Sequence, residues 1–171
     1  MPRIKTLTAS LALVGAHAVF AAPPRLPGTV LQDLKATAAE CTDAGGVAQT
    51  GSAVKRADLN ADGKEDYVLD VGSIQCDGAA SIYGDRDKSV TVYVGDGAGG
   101  ARSAFKEWAY ETKLEGTGAT TRLWLTVMGT NCGKKPAKDF ASETFCDRPV
   151  VWNPKAQIFE FAPVSTVRLV Q

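Results

Sequence analysis

The sequence has 171 residues, 44% of them hydrophobic and 22% charged, and its 19 basic residues balance its 19 acidic ones. That balance offers no positive field for nucleic acid or an anionic membrane surface. The length suits one domain with a real core.

Residues 1–21 read as a secretory signal peptide. Arg3 and Lys5 open it without an acid, and an apolar stretch runs from Leu7 to Phe20. Val19 and Ala21 put small side chains where a cut after Ala21 needs them. The stretch is shorter than the roughly 20 apolar residues of a transmembrane helix, and no later run is long enough to span a membrane. The expected product is a single exported domain, residues 22–171, in the periplasm or outside the cell. The signal removes Arg3 and Lys5 and no acid, leaving 17 basic against 19 acidic residues, a net charge of −2. It also removes His17, the only histidine. A chain without histidine builds no Ser–His–Asp or Cys–His site and no histidine zinc site. A hydrolase with a carboxylate pair remains as an enzymatic alternative.

The four cysteines, Cys41, Cys76, Cys132 and Cys146, fit an oxidising compartment and read as two disulfides. Three pairings exist. Cys132 with Cys146 is favoured because they bracket the polar excursion "GKKPAKDFASETF", which leaves Cys41 with Cys76. The chain-entropy contribution is about 3 kcal/mol for the 132–146 loop and somewhat more for 41–76.

In chain order, "APPRLPG" is a stiff leader. "TVLQDLKATAAE" then places Val30, Leu31, Leu34 and Ala38 at helical spacing. Cys41 closes that helix and Gly45-Gly46 ends it. Period-two signals follow. "YVLDV" puts Tyr67, Leu69 and Val71 on one face, and "VTVYV" does the same with Val90, Val92 and Val94. "WAYETKL" alternates Trp108, Tyr110, Thr112 and Leu114. "RLWLTVM" sets Leu123, Leu125 and Val127 against Trp124 and Met128, the latter pair expected beneath the helix. "VVW", "QIFEF" and "TVRLV" supply the last strands, with Gly- and Asp-rich turns between. The expected fold is mainly β (α+β): an antiparallel β-meander sheet with one N-terminal helix packed on it and two disulfides.

One stretch, "ADLNADGKEDYVLD", carries candidate chemistry. Oxygen ligands at alternate positions, with a glycine for the sharp turn, wrap a hard cation. Asp58, Asn60, Asp62, the carbonyl of Lys64 and Asp66 occupy the first, third, fifth, seventh and ninth positions of such a loop. The twelfth position, a bidentate Glu in an EF-hand, is Leu69, and a strand pattern follows instead of a helix. The alternative is a polar turn built from Asx turns.

The motif leading straight into a strand resembles the FG-GAP or VCBS module, and "SVTVYVGDGAGGARSAF" is similar to that module's second strand and glycine-rich hairpin. The resemblance covers residues 57–105. It implies Ca²⁺ held by Asp58, Asn60, Asp62, Lys64 and Asp66. Ala61 stands where that family has glycine, and a left-handed backbone there costs alanine about 1 kcal/mol. A single copy closes no propeller, which takes about four to eight blades. The cysteine spacing around the motif resembles that of small exported bacterial proteins of unknown function.

Lys134, Lys135 and Lys138 cluster in the disulfide loop as a candidate partner surface. Asp85 and Asp87 are explained by a hairpin turn. "GDGAGG" is not a phosphate loop, since no Lys-Ser/Thr follows. The expected function is a non-catalytic exported module that binds calcium weakly and meets a protein or glycan partner in the envelope or outside the cell. A secreted inhibitor or interaction domain presenting the 132–146 loop is the alternative.

Overall fold

The computed structural model describes residues 25–83 and 86–170. The expected signal peptide and its cut lie outside the described residues, as does Asp85.

Helix α1, Gly28–Asp43, buries Val30, Leu34 and Cys41 along one stripe. Its end follows from two glycines. Gly45 takes a left-handed φ of 82°. The Gly45 N–H then reaches the Thr42 carbonyl and the Gly46 N–H the Cys41 carbonyl, both at 2.9 Å, which satisfies the last helical carbonyls. Gly46 is also fixed by packing, because a Cβ there would stand 2.5 Å from the Cys76 sulfur.

Two antiparallel meanders carry the rest. β2 (Val54–Ala57), β3 (Asp66–Asp70), β5 (Lys88–Gly95) and β6 (Ala101–Ala109) form a four-stranded sheet in that order. β7 (Glu111–Glu115), β8 (Arg122–Met128), β9 (Phe145–Asn153) and β10 (Ile158–Phe161) form the second sheet, with β11 (Arg168–Leu169) also on β9. β1 (Val47–Gln49) and β4 (Gln75–Asp77) make a small ribbon beside the Cys41–Cys76 disulfide.

Alternation along the strands sets the layers. Val68, Val90 and Val92 of the first sheet meet Leu123, Leu125, Val127, Val150 and Phe159 of the second. The opposite face of the first sheet gives Tyr67, Leu69 and Tyr93 to Val30 and Leu34 of α1. The molecule is thus helix on sheet on sheet, and β3, covered on both faces, is buried along its whole length. Each fully buried aliphatic side chain contributes about 1.5–3 kcal/mol.

Mainly β structure, the meander, the packed helix and both disulfides agree with expectation. Cys41–Cys76 and Cys132–Cys146 have Cα separations of 5.7 and 6.1 Å. Two details differ. The pattern in "WAYETKL" is not one strand: β6 ends at Ala109, β7 begins at Glu111, and Tyr110 is where the chain passes between sheets. Period two continues through such a bend although the pairing partners change. Trp124 and Met128 do not lie beneath α1, because α1 covers the other sheet. Trp124 is buried on the outer face of the second sheet, with the Arg168 guanidinium 3.7 Å from its ring centroid. Among the described residues no helix is long and apolar enough to cross a membrane.

Candidate calcium loop

Ala57 and Asp66 pair across β2 and β3, so residues 58–65 are the tip of an antiparallel hairpin. No helix leaves the loop, which ends in a strand as the alternation in "YVLDV" requires. Side-chain oxygens organise the tip. Asp58 accepts from the Asp62 N–H at 3.2 Å and from the Gly63 N–H at 2.9 Å. Asn60 accepts from the same Asp62 N–H at 3.0 Å, and Asp62 from the Lys64 N–H at 2.9 Å. These bonds curl the backbone so tightly that Ala61 and Gly63 take φ of 60° and 80°. Glycine does this freely, whereas alanine carries a cost of about 1–2 kcal/mol.

Asp66 anchors the base. It is fully buried, and its two oxygens accept from the Leu59 N–H at 2.9 Å and the Gly95 N–H at 3.1 Å. Burial pushes its carboxyl above the usual aspartate range. The two backbone bonds pull it down, and the Asp62 and Asp58 charges push it up again. Gly95 is required here: a Cβ on it would stand 2.1 Å from the Glu65 carbonyl oxygen. A groove of about 630 Å³ opens beside the loop, with Asn60, Asp62 and Lys64 on one side and Trp152 and Arg102 on the other.

The fold therefore brings Asp58, Asn60, Asp62 and Lys64 onto one tip and places Asp66 beneath it. Among the described residues, no three His, Cys, Asp or Glu side chains converge as a metal cluster. The loop carboxylates are turned to backbone amides.

Lys134, Lys135 and Lys138 are exposed on the disulfide loop, as its polarity predicts. Beside them lies an aromatic group that residue patterns had not joined. Tyr110 and Phe145 rings are 4.9 Å apart, and Phe140 packs 6.2 Å from Phe145 while staying 47% exposed. Their positions, 110, 140 and 145, share no period, so only the fold unites them.

A second polar centre also lacked any local signature. Lys55 on β2 meets the Asp70 carboxylate at 2.7 Å, and Ser73 donates to the same oxygen at 2.8 Å. Thr112, from β7 of the other sheet, bonds to both Lys55 and Asp70. Burial pushes the Asp70 carboxyl up, but the hydrogen bonds from Lys55, Thr112 and Ser73 outweigh it and hold the group below the usual range. No protein-family model, curated protein or solved structure matches the chain.

Proposed function

We propose that the chain is an exported, non-catalytic binding module that takes one calcium ion at the 58–66 loop. The observation that supports this most is the strained tip itself. Alternate oxygens at Asp58, Asn60 and Asp62 surround a backbone that keeps an alanine at φ 60°. Each bonded oxygen retains a second lone pair for an ion. Two disulfides fit an oxidising compartment, where calcium is plentiful. Five protein ligands without a bidentate Glu point to weak binding, with a Kd of about 10⁻⁴ to 10⁻³ M.

An ion that binds only the folded state stabilises it. At a Kd of about 10⁻⁴ M and about 1 mM free calcium the gain is roughly 1.4 kcal/mol. That raises the melting temperature by about 3 to 6 °C. Asp62→Ala should remove most of this shift, since the side chain is at the tip and outside the core. Magnesium should do less, because the loop offers no tight octahedral cage. Equal melting temperatures for the wild type in chelator and in millimolar calcium would reduce the stretch to a polar turn.

A second reading is favoured by the aromatic group beside the disulfide loop: a secreted interaction domain that docks through Phe140, with Lys134, Lys135 and Lys138 at the rim. Phe140→Ser should leave the calcium response intact and abolish capture of an envelope partner. Capture unchanged by that substitution would remove this reading.

A further inference from the structure

α1 covers only part of the four-stranded sheet. Past Val30 and Leu34, the helix turns Asp33, Ala36, Thr37 and Glu40 toward the sheet, at the spacing of a single stripe. Facing them on β5 are Ser89 and Thr91. Small side chains on both sides fail to fill the interface and leave a cleft of about 480 Å³. That lies within the roughly 300–1,000 Å³ of small-molecule sites.

The groups that line the cleft are ordered. Tyr93, 1% exposed at its floor, donates its hydroxyl to one Asp33 oxygen at 2.5 Å. This bond fixes the carboxylate and leaves its other oxygen for a ligand. Tyr83 on the far wall is held by the bond from its hydroxyl to the Thr37 carbonyl, at 2.7 Å. Trp108 and Lys106, paired in register with Ser89 and Thr91, rise from β6 at the rim. Trp108 is 57% exposed, the largest aromatic surface left uncovered among the described residues.

We propose that this cleft binds a neutral hexose-based oligosaccharide, with Trp108 as its stacking platform. A pyranose ring has a face of C–H bonds, weakly positive, which packs on the negative face of an indole. Its rim of hydroxyls both donates and accepts. Asp33 and Glu40 accept those protons, and the Lys106 ammonium donates to hydroxyl oxygens. A purely apolar ligand would displace water from Asp33, Glu40 and Lys106 without replacing its hydrogen bonds. A phosphate-bearing ligand would meet the carboxylates, and a strongly cationic one Lys88 and Lys106. Asp33 and Glu40 are two helical turns apart, about 10 Å along the axis, which spreads their hydrogen bonds along a chain of sugar rings.

The test titrates the full exported domain, in chelator, with cellohexaose, hexa-N-acetylchitohexaose and maltohexaose in turn. Tryptophan fluorescence should shift with at least one of them. Trp108→Ala should abolish binding of that sugar in isothermal titration calorimetry while leaving the melting temperature unchanged, because the ring is mostly exposed. Asp33→Asn, which still accepts the Tyr93 hydroxyl, should weaken binding at least about tenfold. No response to any of the three sugars would overturn the proposal. So would wild-type affinity in Trp108→Ala, or binding that appears only with calcium.

Discussion

Strand β3 carries a buried carboxylate at each end, and the two are solved differently. Asp70 meets Lys55, Ser73 and Thr112 and is held below the usual aspartate range in spite of its burial. Asp66 has only two backbone N–H groups, faces two further carboxylates, and is pushed above that range. Burial is common to both, so burial does not decide the outcome. The chain places a cation at one end of β3 and backbone dipoles alone at the other. An external cation would do for the Asp66 end what Lys55 does for the Asp70 end.

The largest way to break the comparison is Gly95→Ala. The new methyl meets the Glu65 carbonyl, the end of β5 must shift, and Asp66 loses one of its two donors. We expect a loss of about 3 kcal/mol or more in a urea melt. A variant as stable as wild type would mean that the close approach of β5 to residue 65 is not needed.

Next comes Lys55→Met, which strips the cation from Asp70. Removing one partner of a fully buried pair costs about 3–5 kcal/mol. The Lys55 side chain keeps 27% exposure, so about 2–3 kcal/mol is expected here. Asp70→Asn made in the Lys55→Met background should recover part of the loss, and no recovery would show that the two do not act as a pair.

Acid sharpens the comparison further, with a smaller effect. Asp70 has a lowered folded pKa, so its contribution is present above its unfolded value of about 3.9. It is lost as pH falls through the lower folded value. In Lys55→Met that acid-side loss should shrink, because burial is then opposed only by the hydrogen bonds from Thr112 and Ser73. Parallel stability curves for the two proteins between pH 5 and 2, to roughly the precision of denaturant melts, would contradict this.

The smallest effect is a gain. Ala61→Gly relieves the left-handed backbone at the loop tip and should add about 1 kcal/mol. Ala61→Val should move the melt the other way. A loss on Ala61→Gly would mean the alanine methyl makes a contact that matters more than its strain.

Much of this fold was legible locally. Helical spacing of Val30, Leu31, Leu34 and Ala38, followed by two glycines, marks α1 and its end, although Leu31 is left exposed. Strict alternation in "VTVYV" and "RLWLTVM" marks two strands buried on one face by the partner sheet. The 13 residues between Cys132 and Cys146 are polar enough to read as a loop closed by a disulfide. The hairpin tip could also be found, since its acids and glycine are adjacent in sequence. What stayed hidden depends on tertiary pairing. "VKRA" of β2 has no apolar alternation because that strand is an edge, half-buried throughout. The Asp70–Thr112 contact joins residues 42 apart and leaves no trace in either neighbourhood. The cleft under α1 arises from small residues on two elements, and neither looks unusual alone.

Among the described residues, the chain passes from one sheet to the other at Tyr110 and nowhere else. The two meanders are therefore consecutive stretches, each with its own disulfide, Cys41–Cys76 before the crossing and Cys132–Cys146 after it. As the chain emerges from its N-terminus, the first stretch can pair its strands and oxidise before the second pair of thiols has been made. Neither disulfide has to wait for a cysteine of the other stretch. The hazard lies in the interval. Until β8 arrives with Leu123, Leu125 and Val127, the first sheet shows Val68, Val90 and Val92 to its surroundings as a bare apolar face. That is when the half-made protein is most exposed to self-association.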